Sequence, residues 1–163
     1  NSTLPVTLHI PNTMEDSISF GTRDSKKDVE EKPVFAPKFD ENGLIPALAM
    51  DAETKEPLML AYMNDESLKM TLKLGEAVYY SRSRQEIWHK GATSGHTQKI
   101  IDIRTDCDQD ALILYVEQIG SGACHTGRNS CFYRKVALDD GSDPTALAFT
   151  EDLTFNPEDV YKK

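Results

Sequence analysis

The segment "TDCDQDAL" (Thr105 to Leu112) sets Cys107 among Asp106, Asp108 and Asp110. Ionised, one thiolate and three carboxylates in so short a stretch repel one another, and bound cations are the simplest remedy. Cys107, Cys124 and Cys131 follow a C-x16-C-x6-C spacing. Zinc takes thiolates at about 2.3 Å in a tetrahedron, and three protein ligands with an open fourth position describe a catalytic site. The C-x2-C knuckle of structural zinc sites is missing, and free cysteines also serve as small core hydrophobes. Spacing alone therefore leaves both readings open. The acids alternate, so an extended strand would put Asp106, Asp108 and Asp110 on one face and Cys107 on the other. Hard oxygens suit Mg²⁺ and soft sulfur suits Zn²⁺, so one segment could present two metals from its two sides. The D-x-D-x-D opening imitates a calcium loop, but that motif's Gly and closing Glu are absent.

"GSGACHTGRNSC" puts His125 directly after Cys124. A neutral imidazole beside a metal-activated water can shuttle its proton, which makes His125 the catalytic candidate. "YYSRSR" is expected to place Arg82 and Arg84 on one strand face, where paired guanidiniums clamp phosphates with forked hydrogen bonds. "IWHKGATSGHTQ" adds Trp88, Lys90, Thr93, Ser94 and His96 around two glycines. Hydroxyls, backbone amides and Lys are the parts of a phosphate cradle, although the Gly-Lys order is not that of a Walker loop. Trp88 is a candidate to stack on a base, and Arg128 adds charge near the cysteines. Singly, each is an ordinary surface or core residue; their density in one part of an acidic chain is the unusual feature.

The elements that must position these groups are mostly strands. Leu44–Met50 and Pro57–Met63 are apolar runs around "DAETKE" and predict two strands. "NDESLKMTLKLG" predicts a helix capped by Asn64 and stopped by Gly75. "AVYYSRSR", "EIWHKG", "QKIIDIRTDC", "ALILYVEQIG" and "CFYRKVALD" predict further strands. "DPTALAFTED" predicts a terminal helix with Asp143 as its N-cap and Pro144 at its first position. No alternating βαβ pattern suggests a doubly wound sheet. The fold class is α+β, mainly β: a β-rich small domain with one or two helices.

The chain has 163 residues, enough for one domain, divided here into an N-terminal extension (1–40), a central domain (41–135) and a C-terminal extension (136–163). The extension carries Pro5, Pro11, Pro33 and Pro37 and the run "RDSKKDVEEK"; such composition predicts a tail or an edge-packing arm. The stretch after Arg134 is too short for a second helical domain, which predicts a single activity. A net charge of −9 argues against a nucleic-acid or anionic-membrane binder. No run approaches the ~20 apolar residues of a spanning helix, and no secretory signal is visible. An odd number of cysteines fits reduced thiols in the cytoplasm better than a disulfide framework.

"AYMN", "YYSRSR", "IWHKGATSG", "Q", "DCDQDAL", "QIGSGACHTG" and "SCFYR", in this order across about residues 41–135, resemble the phosphoribosyl-AMP cyclohydrolase family of histidine biosynthesis. The sequence departs from that pattern in the Ser of "GSGAC" and in His96 of "SGHTQ". The resemblance implies hydrolysis of the N1–C6 bond in the adenine ring of 1-(5-phosphoribosyl)-AMP. It implies an intertwined homodimer with one Zn²⁺ per subunit, Cys107 coming from one chain and Cys124 and Cys131 from the other. It also implies Mg²⁺ on Asp106, Asp108 and Asp110. That chemistry agrees with the residues, because zinc lowers the pKa of water from 15.7 to about 7 and zinc deaminases also attack C6 of adenine.

Three other readings compete. A zinc-stapled dimerisation module would close the metal with a fourth ligand such as His125. A thiol redox protein needs a C-x-x-C pair, which is absent. A zinc nucleoside deaminase needs H-x-E and P-C-x-x-C, which are absent too.

Overall fold

The computed structural model describes residues 18–120, 124, 127–138, 143 and 145–152. Six strands form the main sheet: β1 (Ile45–Asp51), β2 (Pro57–Met63), β3 (Val78–Ser81), β4 (Glu86–His89), β5 (Gln98–Thr105) and β6 (Leu112–Gln118). Their order is β4-β3-β2-β1-β6-β5. Neighbours run antiparallel except β1 and β6, which are parallel. β1 and β6 each bury alternate residues, the sign of a sheet with one inner face. Their register sets Ala47 beside Leu112 and Ala49 beside Leu114, so small side chains on one strand leave room for large ones on the next. Ile45, Leu58, Met63, Leu68, Tyr79, Leu114 and Val116 complete a core shielded from solvent.

The sheet curls until its ends approach. Register shifts at Ala49/Met50 and at Ile100/Asp102 mark bulges, which add local twist. The segment before β3 then pairs with the start of β5: Ala77 N–H donates to Gln98 O at 2.9 Å, and Ile100 N–H to Gly75 O at 2.8 Å. Among the described residues there are two helices, α1 (Lys26–Glu31) and α2 (Asp65–Leu74). α2 packs on β3 and β2 and buries Ser67, Leu68 and Thr71. The Thr71 hydroxyl bridges Val78 N at 2.9 Å and Val78 O at 3.1 Å, locking the helix to β3.

α2 begins and ends as its residue types predict. The Asn64 side chain accepts from Ser67 N–H at 2.8 Å, Ser67 Oγ accepts from Asn64 N–H at 2.9 Å, and Gly75 closes the helix at φ 75°. Asn64→Ala should cost about 1 kcal/mol, read as a lower urea midpoint at unchanged slope.

Three expectations need correction. "YYSRSR" is a strand only to Ser81, because a turn at residues 82–85 with Gln85 at φ 53° leads into β4. Arg82 and Arg84 therefore share a hairpin turn instead of a strand face. The terminal helix is replaced by β8 (Leu147–Phe149), paired antiparallel with β7 (Arg134–Val136). Asp143 spends its carboxylate on Thr145 N–H at 2.9 Å and Thr145 Oγ1 at 2.7 Å, a local turn that competes with helix capping. Pro144 lies outside the described residues. Finally, residues 18–40 bury more than their composition suggests. Phe20, Phe35 and Phe39 pack on the core, Ala36 and Val29 are buried, and Phe20 meets Phe35 edge-on at 5.5 Å. These anchors are scattered, so no period reveals them. Among the described residues, no helix is long and apolar enough to cross a membrane.

Candidate metal-binding active site

Cys124 and Cys131 are brought together by short backbone ties. Cys131 N–H donates to Leu58 O of β2 at 2.6 Å, while Cys124 N–H donates to Arg128 O at 3.2 Å and Gly127 N–H to Cys124 O at 3.0 Å. Ser130 between them is buried, its hydroxyl donating to Pro57 O at 2.6 Å. The Cys131 residue as a whole is exposed, but protein crowds its sulfur. That loss of water, with Cys124 beside it, pushes the Cys131 thiol up to about 12. Lys90 is buried nearby; desolvation lowers its pKa, and the thiols Cys131 and Cys124 work against that lowering. Two adjacent sulfurs form a donor set suited to a soft metal.

Behind the thiols runs a buried polar chain. Tyr79 is held as a neutral phenol by burial first and by Cys131 second. Its hydroxyl donates to Gln98 Oε1 at 2.6 Å, Gln98 Nε2 donates to Gln118 Oε1 at 3.0 Å, and Gln118 Nε2 donates to His96 O at 3.0 Å and Thr97 O at 3.1 Å. The chain ties Tyr79 to the loop at residues 90–97 that carries Lys90, Thr93 and Ser94. His96 is buried there, packed against Gly120, where a Cβ would lie 2.4 Å from its Cδ2. Gly91, at φ +84°, leaves no room either: a Cβ would meet the Thr97 backbone nitrogen at 2.3 Å. Gly91→Ala should cost about 1–3 kcal/mol in urea unfolding. Gly43→Ala, with φ +77° but nothing within 4 Å, should cost about 1 kcal/mol.

The acidic segment is a turn between β5 and β6, not a strand. Gln109 adopts φ 59°, Gln109 N–H donates to Asp106 O at 3.1 Å, and Asp110 N–H donates to Asp106 Oδ1 at 3.1 Å. The turn gathers carboxylate oxygens of Asp106, Asp108 and Asp110 within 4.8 Å of one another, all exposed. A hydrogen bond with Asp110 holds Asp108 below the usual carboxylate range; the same contact, then Asp106, raises Asp110. Three convergent hard oxygens fit a hard divalent cation.

Cys107, exposed on this turn, does not join Cys124 and Cys131: among the described residues the three acids are the only metal-ligand cluster. Three interstrand steps separate β2, which anchors Cys131, from β5, which leads to Cys107, roughly 14 Å along the sheet.

The basic and aromatic candidates are dispersed. Arg82 stacks on the Tyr62 ring at 4.1 Å, and Arg84 meets Glu86 at 3.6 Å and Ser81 Oγ at 3.4 Å. Trp88 lies partly buried with its ring 5.7 Å from Tyr79, and Lys90 Nζ sits 5.8 Å from the Trp88 ring. Thr93 is exposed, and Ser94 Oγ accepts from His96 N–H at 3.3 Å. Arg128 stacks on Tyr133 at 4.3 Å. His125 lies outside the described residues. Sequence reasoning noted Gln98 only as a motif position without a role, and missed Gln118, whose strand position reads as an ordinary polar end, and Gln109 and Arg23, whose partners are remote in the chain.

The sequence model of phosphoribosyl-AMP cyclohydrolase matches residues 59–133. A phosphoribosyl-AMP cyclohydrolase of Bradyrhizobium diazoefficiens is 53% identical over 137 residues, 83% of this chain and 96% of its own. The protein of that name from Rhodopseudomonas palustris (strain TIE-1) is 50% identical over 136 residues, 83% of this chain and 90% of its own. One from Nitrobacter hamburgensis is 48% identical over 142 residues, 87% and 96% of the two chains. The matched span holds the acidic turn, the paired thiols and the glycine loop, so similarity and site coincide, and the chain belongs to the phosphoribosyl-AMP cyclohydrolase family.

Proposed function

We propose that the chain is a phosphoribosyl-AMP cyclohydrolase of histidine biosynthesis, working as a zinc- and magnesium-dependent homodimer in the cytoplasm. The activity itself follows from the family and from relatives at about half identity over nearly their full length. The reaction adds water at C6 of the adenine ring of 1-(5-phosphoribosyl)-AMP. The C6–N1 bond breaks, its electrons pass to N1, and a proton follows them.

One observation carries the cofactor and partner reading: two thiols stand together without the third. Cys124 and Cys131 hold half a soft site beside Lys90, while Cys107 sits on the acidic turn. A second copy that brings its Cys107 to this pair would complete a three-sulfur site. Exposed Leu60, Phe132, Leu147 and Phe149 supply apolar surface for such a contact. Free thiols suit the reducing cytoplasm. Zinc, when bound, supplies a Lewis acid that makes water nucleophilic at neutral pH.

The chain's own residues do the rest. His125, next to Cys124 in sequence, takes a proton from the attacking water and returns it toward N1. Arg82, braced on Tyr62, Arg84 and Arg128 offer guanidinium edges to the phosphates, with Lys90, Thr93 and Ser94 in the glycine loop. Trp88 borders the base. Asp106, Asp108 and Asp110 would hold Mg²⁺, which would supply charge to neutralise a phosphate end. The test is ring opening followed by absorbance together with metal content. His125→Ala should retain zinc and lose at least about tenfold in turnover. Full turnover in a preparation without transition metal would overturn the reading.

A further inference from the structure

The acidic turn is held from outside residues 59–133, the stretch that the family model matches. Gln109 is 5% exposed, and its carboxamide is fully engaged by the N-terminal arm. Its Oε1 accepts from Ala36 N–H at 2.8 Å, and its Nε2 donates to Val29 O at 3.0 Å and Val34 O at 3.2 Å. Its backbone carbonyl accepts from Lys38 N–H at 2.7 Å. Arg23 spans the same junction, donating to Ala36 O at 2.6 Å and Asp108 O at 2.8 Å. The arm and the turn also enclose a groove of about 620 Å³, walled by Val29 and Val34 on one side and by Asp106 and Cys107 on the other.

The backbone explains why such a hold matters. Gln109 has φ 59°, a left-handed conformation that a non-glycine residue adopts at a cost. That conformation is what turns the chain back so that Asp106, Asp108 and Asp110 converge. The side-chain bonds to the arm offset its cost, and without them the turn is released toward ordinary backbone conformations that spread the carboxylates.

We propose that residues 18–39 form a clasp, with Gln109 as the positioning residue, that sets the cation-binding geometry of the acidic turn. This deepens the reading that the three aspartates take a divalent cation and rests on it. Mn²⁺ alone is the probe, its free concentration followed by electron paramagnetic resonance on the full chain. Gln109→Met is the informative variant, because it keeps the strain of the left-handed backbone and the bulk of the side chain and removes only the carboxamide. It should weaken Mn²⁺ binding about tenfold. It should also speed hydrogen exchange at the amides of Ala36 and Lys38, and turnover at saturating Mn²⁺ should return to within about twofold of wild type. A purely structural loss would not be rescued by metal. Wild-type Mn²⁺ affinity in a variant whose Ala36 amide exchanges faster would overturn the positioning role alone. Unchanged exchange at Ala36 would show that Gln109 does not hold the arm. Failure of the wild-type protein to bind Mn²⁺ would instead remove the metal reading on which the proposal stands.

Discussion

Cys131→Ser is expected to reduce cyclohydrolase turnover by more than about a thousandfold, with loss of bound zinc. Serine is a hard, weakly acidic ligand and cannot replace a thiolate toward a soft metal. Cys107→Ser should be equally inactive, although Cys107 lies on another turn, away from Cys124 and Cys131. The two inactive variants together should recover activity. In a two-fold dimer, the mixed pair carries one site with both lesions and one site with none. Random pairing on co-expression makes half the dimers mixed, so total activity should return to roughly one quarter of wild type. No recovery from co-purified mixed dimers would mean that each chain builds its site alone, which this arrangement of sulfurs does not support.

Asp106→Asn or Asp110→Asn is expected to weaken Mn²⁺ binding about thirtyfold. The cluster is exposed, so the dielectric is near that of water, and a unit charge at 4 Å attracts a divalent ion by about 2 kcal/mol. That corresponds to about thirtyfold in affinity before loss of the coordinating oxygen is added. Turnover at limiting metal should fall about a hundredfold and recover in part at high metal. The pH dependence has a definite sign. Contact with Asp108, then Asp106, raises Asp110 above the usual carboxylate range, so a proton competes for the site there. Mn²⁺ affinity of the wild-type protein should fall as pH drops toward that range. Asp110→Asn should flatten this dependence, because the competing proton has no place to bind. A steep dependence surviving in the variant would assign the competition elsewhere.

The parts of the site that the sequence foretold are those in which chemistry depends on neighbours in the chain. Cys107 among three acids, the Asn64 cap and Gly75 stop of α2, and the apolar runs of β1 and β6 are local patterns with local causes. The parts it concealed depend on remote partners. Arg82 and Arg84 were expected on a strand face, but a left-handed Gln85 turns the chain after Ser81. "DPTALAFTED" has the residues of a helix start, yet β7 offers Leu147–Phe149 an edge to pair with, and tertiary pairing overrides propensity. Phe20, Phe35 and Phe39 obey no period, so nothing in residues 18–40 announces that they pack on the core.

By itself, then, the sequence determined the donor atoms: three sulfurs, three clustered carboxylates, and the order of motifs that marks the family. Ligand type follows from side-chain chemistry, which needs no fold to be read. Only the tertiary structure decided which donors meet. A curled sheet brings Cys131 to Cys124 and Lys90, while the same sheet order leaves Cys107 with the aspartates and the N-terminal arm. Meeting is a matter of strand order and of bonds between residues some seventy to eighty positions apart, such as Gln109 with Val29 and Ala36, and no local pattern encodes these.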